Sequence, residues 1–239
     1  MAKKNIEVCF SPELLHLFDH ASAAVVIIDV LRATSSMCVA LHNGAQHILP
    51  TATVEESMAL RSQGYLVGAE RQAQKVSGFD FGNSPFDYTP EKVKDKKIAL
   101  TTTNGTQAIE AARGAKRLVI GSFLNLDVLT EWLIKQNSNV LCLCASWRGR
   151  FNLEDTLLAG ALAQRLQASQ KYATNCDSAI AAEHLYVLAQ NDLFGFLAHS
   201  SHRTRLQHLN LDEEVKFCLT PNQAPVVPVL TDGFKLMVG

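Results

Sequence analysis

Two hydrophobic periods alternate along this chain, and the alternation repeats almost from end to end. Residues 3–10 switch between apolar and polar side chains as a half-buried strand does. Residues 24–30 instead open with an unbroken apolar run, Ala24-Val25-Val26-Ile27-Ile28, the pattern of a strand covered on both faces. Between them Ser11-Pro12-Glu13 starts a short helix with a capping hydroxyl, a proline and a first-turn acid. The strand at 24–30 feeds a helix that stops near Asn43-Gly44. Thr53 followed by Glu56 has the spacing of a capping box, and its helix ends at Gly64. Residues 65–67 read as a short strand. An irregular stretch then runs over 68–88, long enough to be a functional loop or a disordered one.

Thr89-Pro90-Glu91 opens the next helical turn, followed by a strand at 98–102, a helix at 105–112, a strand at 117–121 and a helix at 126–135. Residues 140–146 form another apolar strand, helical signals dominate from 154 to 190 with Asp177 as a candidate cap, and 225–238 reads as a hairpin turning at Asp232-Gly233. This order predicts the α/β class, with a parallel-rich sheet and helices on both faces. No proline-rich linker, charge run or long repeat marks a boundary. Residues 1–239 therefore read as a single unit, or as two closely packed lobes whose boundary the sequence does not place.

With 239 residues and 47% hydrophobic content, the chain can bury a full core. A net charge of -1 argues against a general nucleic-acid or membrane-surface binder, which would need clustered basic surface, so any anion site is local. Asn5-Ile6-Glu7 follows Met1-Ala-Lys-Lys without an apolar signal region, and Asp29 interrupts the longest apolar candidate for a membrane span, so the expected location is the cytoplasm. The six scattered cysteines are expected as buried free thiols. Cys142 and Cys144 share a strand face, and His199 and His202 a helical one. For both pairs ordinary packing is a stronger reading than metal ligation.

Three predicted strands run into polar clusters, and ligand sites of open α/β sheets lie beyond such carboxyl ends. The first leads to Asp29, Arg32, Thr34 and Ser35, the second to Thr103-Asn104-Gly105-Thr106, and the third to Trp147-Arg148-Gly149-Arg150 and Glu154-Asp155. An acid directly after five apolar strand residues would be partly buried, with Arg32 as its only evident local partner. Within 68–88, Arg71 offers a planar fork for an oxyanion, Lys75 a point charge, and Asn83 and Ser84 neutral donors. A solvated surface loop would have the same composition. Asp29, Glu70, Glu154 and Asp155 could converge as oxygen ligands for magnesium, although acids in a helix first turn also simply complement the dipole. The 103–106 segment could cradle a phosphate at a helix N-terminus or merely cap that helix. Neither a GxxxxGK[ST] loop nor a GxGxxG turn is present.

Taken together, Ile28-Asp29-Val30-Leu31-Arg32-Ala33-Thr34-Ser35, Glu70-Arg71 with Lys75, Gly78-Phe79-Asp80-Phe81-Gly82-Asn83-Ser84-Pro85, Thr102 to Thr106, Leu153-Glu154-Asp155 and the tail Val226 to Leu230 resemble the motifs of the 2-phosphosulfolactate phosphatase family. The resemblance implies a three-layer α/β/α fold with a parallel-rich mixed sheet. It also implies magnesium-dependent hydrolysis of a small anionic phosphorylated substrate, 2-phosphosulfolactate, in a step towards coenzyme M. On this reading Asp29, Glu70, Glu154 and Asp155 hold Mg2+ directly or through water. Arg32, Arg71, Lys75, Arg148 and Arg150 supply cations for phosphate, carboxylate and sulfonate, and Thr34, Ser35, Asn83, Ser84, Thr103, Asn104, Gly105 and Thr106 complete the substrate cradle. The attacking group is either a metal-activated water or Asp29 itself. Two departures stand out: the family's glycine-rich run after Glu-Arg is Gln72-Ala73-Gln74 here, and the glycine expected after Cys144-Ala145 is Ser146. They keep two alternatives open, a phosphatase for another small phospho-acid and a non-catalytic binder of a phosphorylated or sulfonated metabolite. A homo-oligomer is compatible with the family, but one sequence shows no interface.

Overall fold

The computed structural model describes residues 2–239. Its strands are β1 (Lys4–Cys9), β2 (Ala24–Ile28), β3 (His47–Pro50), β4 (Leu66–Arg71), β5 (Gln74–Lys75), β6 (Lys97–Thr101), β7 (Arg117–Gly121), β8 (Val140–Cys144), β9 (Tyr172–Ala173), β10 (Pro228–Thr231) and β11 (Lys235–Val238). The helices are α1 (Ala33–His42), α2 (Val54–Ala59), α3 (Pro90–Val93), α4 (Gly105–Ala111), α5 (Leu126–Gln136), α6 (Leu153–Ala168), α7 (Asp177–Ala189), α8 (Leu193–Phe196), α9 (Ser201–Gln207) and α10 (Asp212–Leu219). All strands join one mixed sheet in the order β5-β4-β6-β3-β11-β10-β7-β2-β8-β1-β9. One wing, β4-β6-β3, is parallel, as is the other, β7-β2-β8-β1-β9. The C-terminal hairpin β10-β11 lies between them, antiparallel to β7 and to β3.

Alternation along each central strand splits the core into two layers. Ala24, Val26, Ile28, Cys142 and Cys144 pack with α5, α6 and α7, whereas Val25, Ile27, Leu141 and Leu143 pack with α1 and α4. Helices therefore cover both faces, as the continuous apolar runs require. A smaller apolar cluster, Val67, Ala69, Phe79 and Ala99, closes the outer wing beneath α2. Cys142 and Cys144 are thus core residues, and all six cysteines are free thiols.

Several local expectations are corrected by the fold. The four-residue β3 was not anticipated, because a short run ending in Pro50 becomes a strand only when β6 and β11 flank it. The strand expected at 65–67 runs on to Arg71, paired with β6 from Leu66↔Ile98 to Ala69↔Thr101. The irregular stretch over 68–88 is accordingly a tight β4-β5 hairpin followed by a segment in which Phe81 bridges back to Gly68. Thr53 does accept the Glu56 amide, but the Glu56 carboxylate turns to the Ala52 N–H at 2.9 Å, so the capping box is half formed. Cys176, rather than Asp177, precedes α7 as its cap residue.

Candidate active site

The site begins with how the end of β2 is held. Thr34 Oγ1 donates to the Asp29 carbonyl at 2.8 Å and accepts the Asp29 amide at 3.2 Å. Ser35 Oγ donates to the Val30 carbonyl at 2.8 Å and meets Ser122 Oγ at 2.9 Å. Asp155 Oδ1 accepts the Val30 amide at 2.9 Å, and its other oxygen accepts from Asn152 at 3.3 Å. Thr34, Ser35 and Asp155 therefore fix the backbone around Asp29 and do not line the cavity in front of it. Burial and the charges of Glu154 and Asp29 push the Asp155 carboxyl well above the usual range, against the Val30 amide and Asn152.

Gly105, the first residue of α4, brings that helix against Asp29. A Cβ there would lie 2.7 Å from the Ala33 Cβ and 3.0 Å from Asp29 Oδ2. Gly105→Ala is therefore expected to destabilise by about 1–3 kcal/mol, as overpacking does, and to cut turnover by displacing Asp29. Unchanged melting and activity would show that this approach is not needed.

Asp29 is only 8% exposed. Burial pushes its carboxyl up to about 6; His202 and the Ala33 amide oppose the rise, and the charges of Glu70 and Glu154 add to it. It opens on a cavity of about 610 Å³. Glu70, at the end of β4, lies on the same wall: Oε1 accepts the Ala73 amide at 2.6 Å, and Oε2 accepts the Thr103 amide, the Thr103 hydroxyl and Asn83 Nδ2 at 3.2, 3.1 and 3.4 Å. Because Asn83 gives its amide hydrogens to Glu70, its Oδ1 is left buried without a partner. Thus Glu70 gathers three segments that the sequence keeps apart: β4, the Asn83 loop and the end of β6.

Arg32, Arg71 and Arg148 line the cavity, as do Asn83, Thr103 and Asn104. Arg32 is not the partner of Asp29. Its guanidinium pairs with Glu214 of α10 and donates to the Ala73 carbonyl at 2.7 Å, which ties the β4-β5 turn to α10. Arg71 reaches only its neighbour's carbonyl, Glu70 O, at 2.7 Å. Lys75, Arg150, Ser84, Gly105 and Thr106 are not on the cavity wall. Lys75 is exposed on β5, Arg150 is exposed beyond the Trp147 turn, and Ser84 is half-buried before Pro85. Thr106 Oγ1 exchanges hydrogen bonds with the Thr102 backbone at 3.0 and 3.1 Å, and the Thr106 amide donates to Thr102 Oγ1 at 3.1 Å, which ties the start of α4 to the end of β6.

Two ionisable cavity residues lie outside the site residues selected from sequence, His202 and Arg205, both on α9. His202 Nδ1 meets Glu154 Oε1 at 2.5 Å, so the nitrogen left over on the ring is Nε2. Glu154, 1% exposed, stands behind the wall and orients the imidazole. Arg205, three residues on, also faces the cavity. In the polar run around Ser200 to Arg203 the His199/His202 spacing reads as ordinary packing, because only the packing of α9 across the strand ends gives His202 and Arg205 a role.

The departures from the family pattern have a backbone meaning. Gln72 and Ala73 have φ of 56° and 63°, and Ser146 has φ 62°, the left-handed region that favours glycine. The chain path that glycine would permit is thus retained by residues that pay strain for it. Ala73→Gly and Ser146→Gly are each expected to raise stability by about 0.5–1 kcal/mol, the left-handed penalty less glycine's extra entropy. Thermal denaturation reads this directly; lower stability in both would contradict it.

Oxygen donors dominate the Asp29 end of the cavity. The carboxylates of Asp29 and Glu70 and the orphan Asn83 Oδ1 are hard ligands of the kind magnesium takes, often one or two carboxylates completed by substrate oxygens and water. Among the described residues no three acid, imidazole or thiolate side chains form a metal cage by themselves. Two carboxylates and one amide oxygen would leave the remaining coordination positions of such an ion to other oxygens. No helix is long and apolar enough to cross a membrane among the described residues.

Comparison with known proteins gives one consistent result. The sequence model of the 2-phosphosulpholactate phosphatase family matches residues 9–233. A Thermotoga petrophila protein described as "Probable 2-phosphosulfolactate phosphatase" is 45% identical over 208 residues, covering 87% of this chain and 89% of its own length. Proteins with the same description from Caldanaerobacter subterraneus subsp. tengcongensis and Symbiobacterium thermophilum are 38% and 36% identical, over 87% and 89% of this chain and 88% and 93% of their own.

Proposed function

Because this chain belongs to the 2-phosphosulfolactate phosphatase family, we propose that it is a phosphoric monoester hydrolase that converts 2-phosphosulfolactate to sulfolactate and phosphate with magnesium as cofactor. The observation that carries this reading is the cavity itself. A buried, easily protonated Asp29 faces a wall of guanidinium groups in a volume of about 610 Å³, which suits a small polyanion. The whole chain acts as one catalytic unit, since its last two strands lie inside the sheet.

Asp29, with Glu70 and Asn83 Oδ1, would hold the magnesium ion, which when bound neutralises phosphoryl oxygens and acidifies water. Arg71 and Asn104 receive the phosphoryl group, and Arg32 keeps the Ala73 turn in place over it. Hydrolysis forms a bond from the attacking oxygen to phosphorus and breaks the bond from phosphorus to the substrate's alcohol oxygen. That oxygen needs a proton as it leaves, and His202, fixed through Nδ1 by Glu154, can deliver it from Nε2. The attacking oxygen belongs to water or to Asp29 itself. Borohydride trapping during turnover separates them: a covalent route forms an acyl phosphate at Asp29 that is reduced to homoserine, whereas direct attack by water leaves Asp29 intact.

The deciding assay is phosphate release from racemic 2-phosphosulfolactate and a panel of small phospho-acids, with magnesium and with chelator. Magnesium-dependent release with 2-phosphosulfolactate preferred is the expected outcome. A preference for another phospho-acid would move the substrate assignment, and no release from any compound would overturn the hydrolase reading.

A further inference from the structure

Beyond the phosphate-handling end, the same cavity carries two cations without an ion-pair partner among the described residues. The turn after β8 brings one of them. Trp147 and Arg150 exchange backbone hydrogen bonds at 3.0 Å, and the two residues between them, Arg148 and Gly149, have φ of 51° and 73°. Gly149 lies against the exposed Glu13 side chain, whose Oε1 would be 2.5 Å from a Cβ at 149. An arginine held left-handed is uncommon and costs about 1–2 kcal/mol, a kind of strain that recurs at ligand sites. The turn places the Trp147 ring and the Arg148 side chain on the cavity wall.

The second cation comes from α9. The Arg205 guanidinium carbon lies 4.1 Å from the Trp147 ring centre, and that of Arg148 lies 4.7 Å from it. Arg205 Nη2 is buried without a hydrogen-bond partner. Among the described residues neither guanidinium has a carboxylate within ion-pair distance. Two like charges converging on one indole, one with an unpaired buried donor, repel each other unless an anion lies between them. Stacking on an aromatic face preorganises each fork and leaves its edge for oxyanion oxygens.

We propose that Trp147, Arg148 and Arg205 form a second anion subsite that binds the substrate's sulfonate and thereby sets specificity. This deepens the phosphatase reading and rests on it. His202 and Arg205 are three residues apart on α9, and so share a helical face with roughly 4.5 Å of rise between them. That is the scale separating two substituents on neighbouring carbons, so the leaving oxygen can face His202 while the sulfonate faces Arg205. A sulfonate is a weakly basic, diffuse anion with three equivalent oxygens. It suits two guanidinium forks better than the oxygen-rich Asp29 end, where the carboxylate of the substrate, on the same carbon as the phosphate, lies closer to the reacting centre.

The test compares 2-phosphosulfolactate with 2-phospholactate, which has a methyl group in place of the sulfonated carbon, for wild type, Arg205→Gln, Arg148→Gln and Arg205→Lys. Wild type is expected to favour the sulfonated substrate. Each Gln variant should lose about tenfold or more in kcat/KM on it, chiefly through KM, while 2-phospholactate stays within about twofold, as expected for loss of a charge-paired contact. Arg205→Lys, which keeps charge without the fork, should fall between. Equal losses on both substrates, or a preference that survives both Gln variants, would overturn the subsite. Calorimetric binding of sulfolactate and lactate to the same proteins gives a readout independent of turnover. If wild type releases no phosphate, the hydrolase reading fails, but sulfolactate binding that is lost in Arg205→Gln still supports the subsite, and absent or unaltered binding rejects it.

Discussion

Asp29→Asn is expected to lower turnover on the order of a thousandfold or more while leaving the protein folded and, at neutral pH, more stable than wild type. The activity loss follows from position. Asp29 is the carboxylate at the end of the central strand β2, it opens on the cavity, and either proposed role, holding the cation or attacking phosphorus, needs its charge. The stability gain follows from linkage. Burial raises the folded-state pKa of Asp29 from 3.8 to about 6, so the folded protein binds this proton more tightly than the unfolded chain does. The stabilisation associated with that proton is complete below pH 3.8 and disappears as pH rises through about 6. Above that, keeping the charge buried costs up to about 3 kcal/mol, a cost that neutral asparagine avoids. Melting in chelator should therefore favour the variant at pH 7.5, with the advantage shrinking towards pH 4. Full activity would remove Asp29 from the chemistry, and equal melting across this range would show that its charge is not penalised.

His202→Gln is the second large effect. A positioned general acid contributes about a hundredfold to ten-thousandfold, and the loss should fall in kcat because proton delivery matters only as the bond to the alcohol breaks. The size of the loss should depend on the leaving group. On 2-phospholactate, whose alkoxide leaves poorly, about a hundredfold loss is expected. On its trifluoromethyl counterpart, whose alkoxide needs little help, the loss should shrink to within about tenfold. Glu154→Gln should give a smaller loss with the same pattern, since it replaces the carboxylate that orients Nδ1 with a neutral amide. Losses independent of the leaving group would make His202 a structural residue only.

The scaffold was readable because its signals are local. The unbroken apolar run before Asp29, the Asn43-Gly44 stop and the Asp232-Gly233 turn each specify an element without knowing its neighbours, and β2, α1 and the final hairpin form there. Where an element depends on what lies beside it, the pattern failed. β3 is too short to announce itself, and the outer part of β4 is drawn into the sheet by β6 across the interval from Ala69 to Thr101.

The site divides along the same line. Sequence by itself determined that acids, arginines and hydroxyl residues gather at the carboxyl ends of three strands, because strand direction and hydrophobic period fix where those ends fall. It could not determine which of them face a ligand. Tertiary structure sent Thr34, Ser35 and Asp155 to the backbone of the β2 end, gave Arg32 to Glu214, and brought His202 against Glu154. The Asp155, Arg32 and His202 outcomes depend on contacts between residues 48 to 182 positions apart. No local period encodes such distances; they are set only when the helices close over the sheet and each buried charge must find a partner or a cavity.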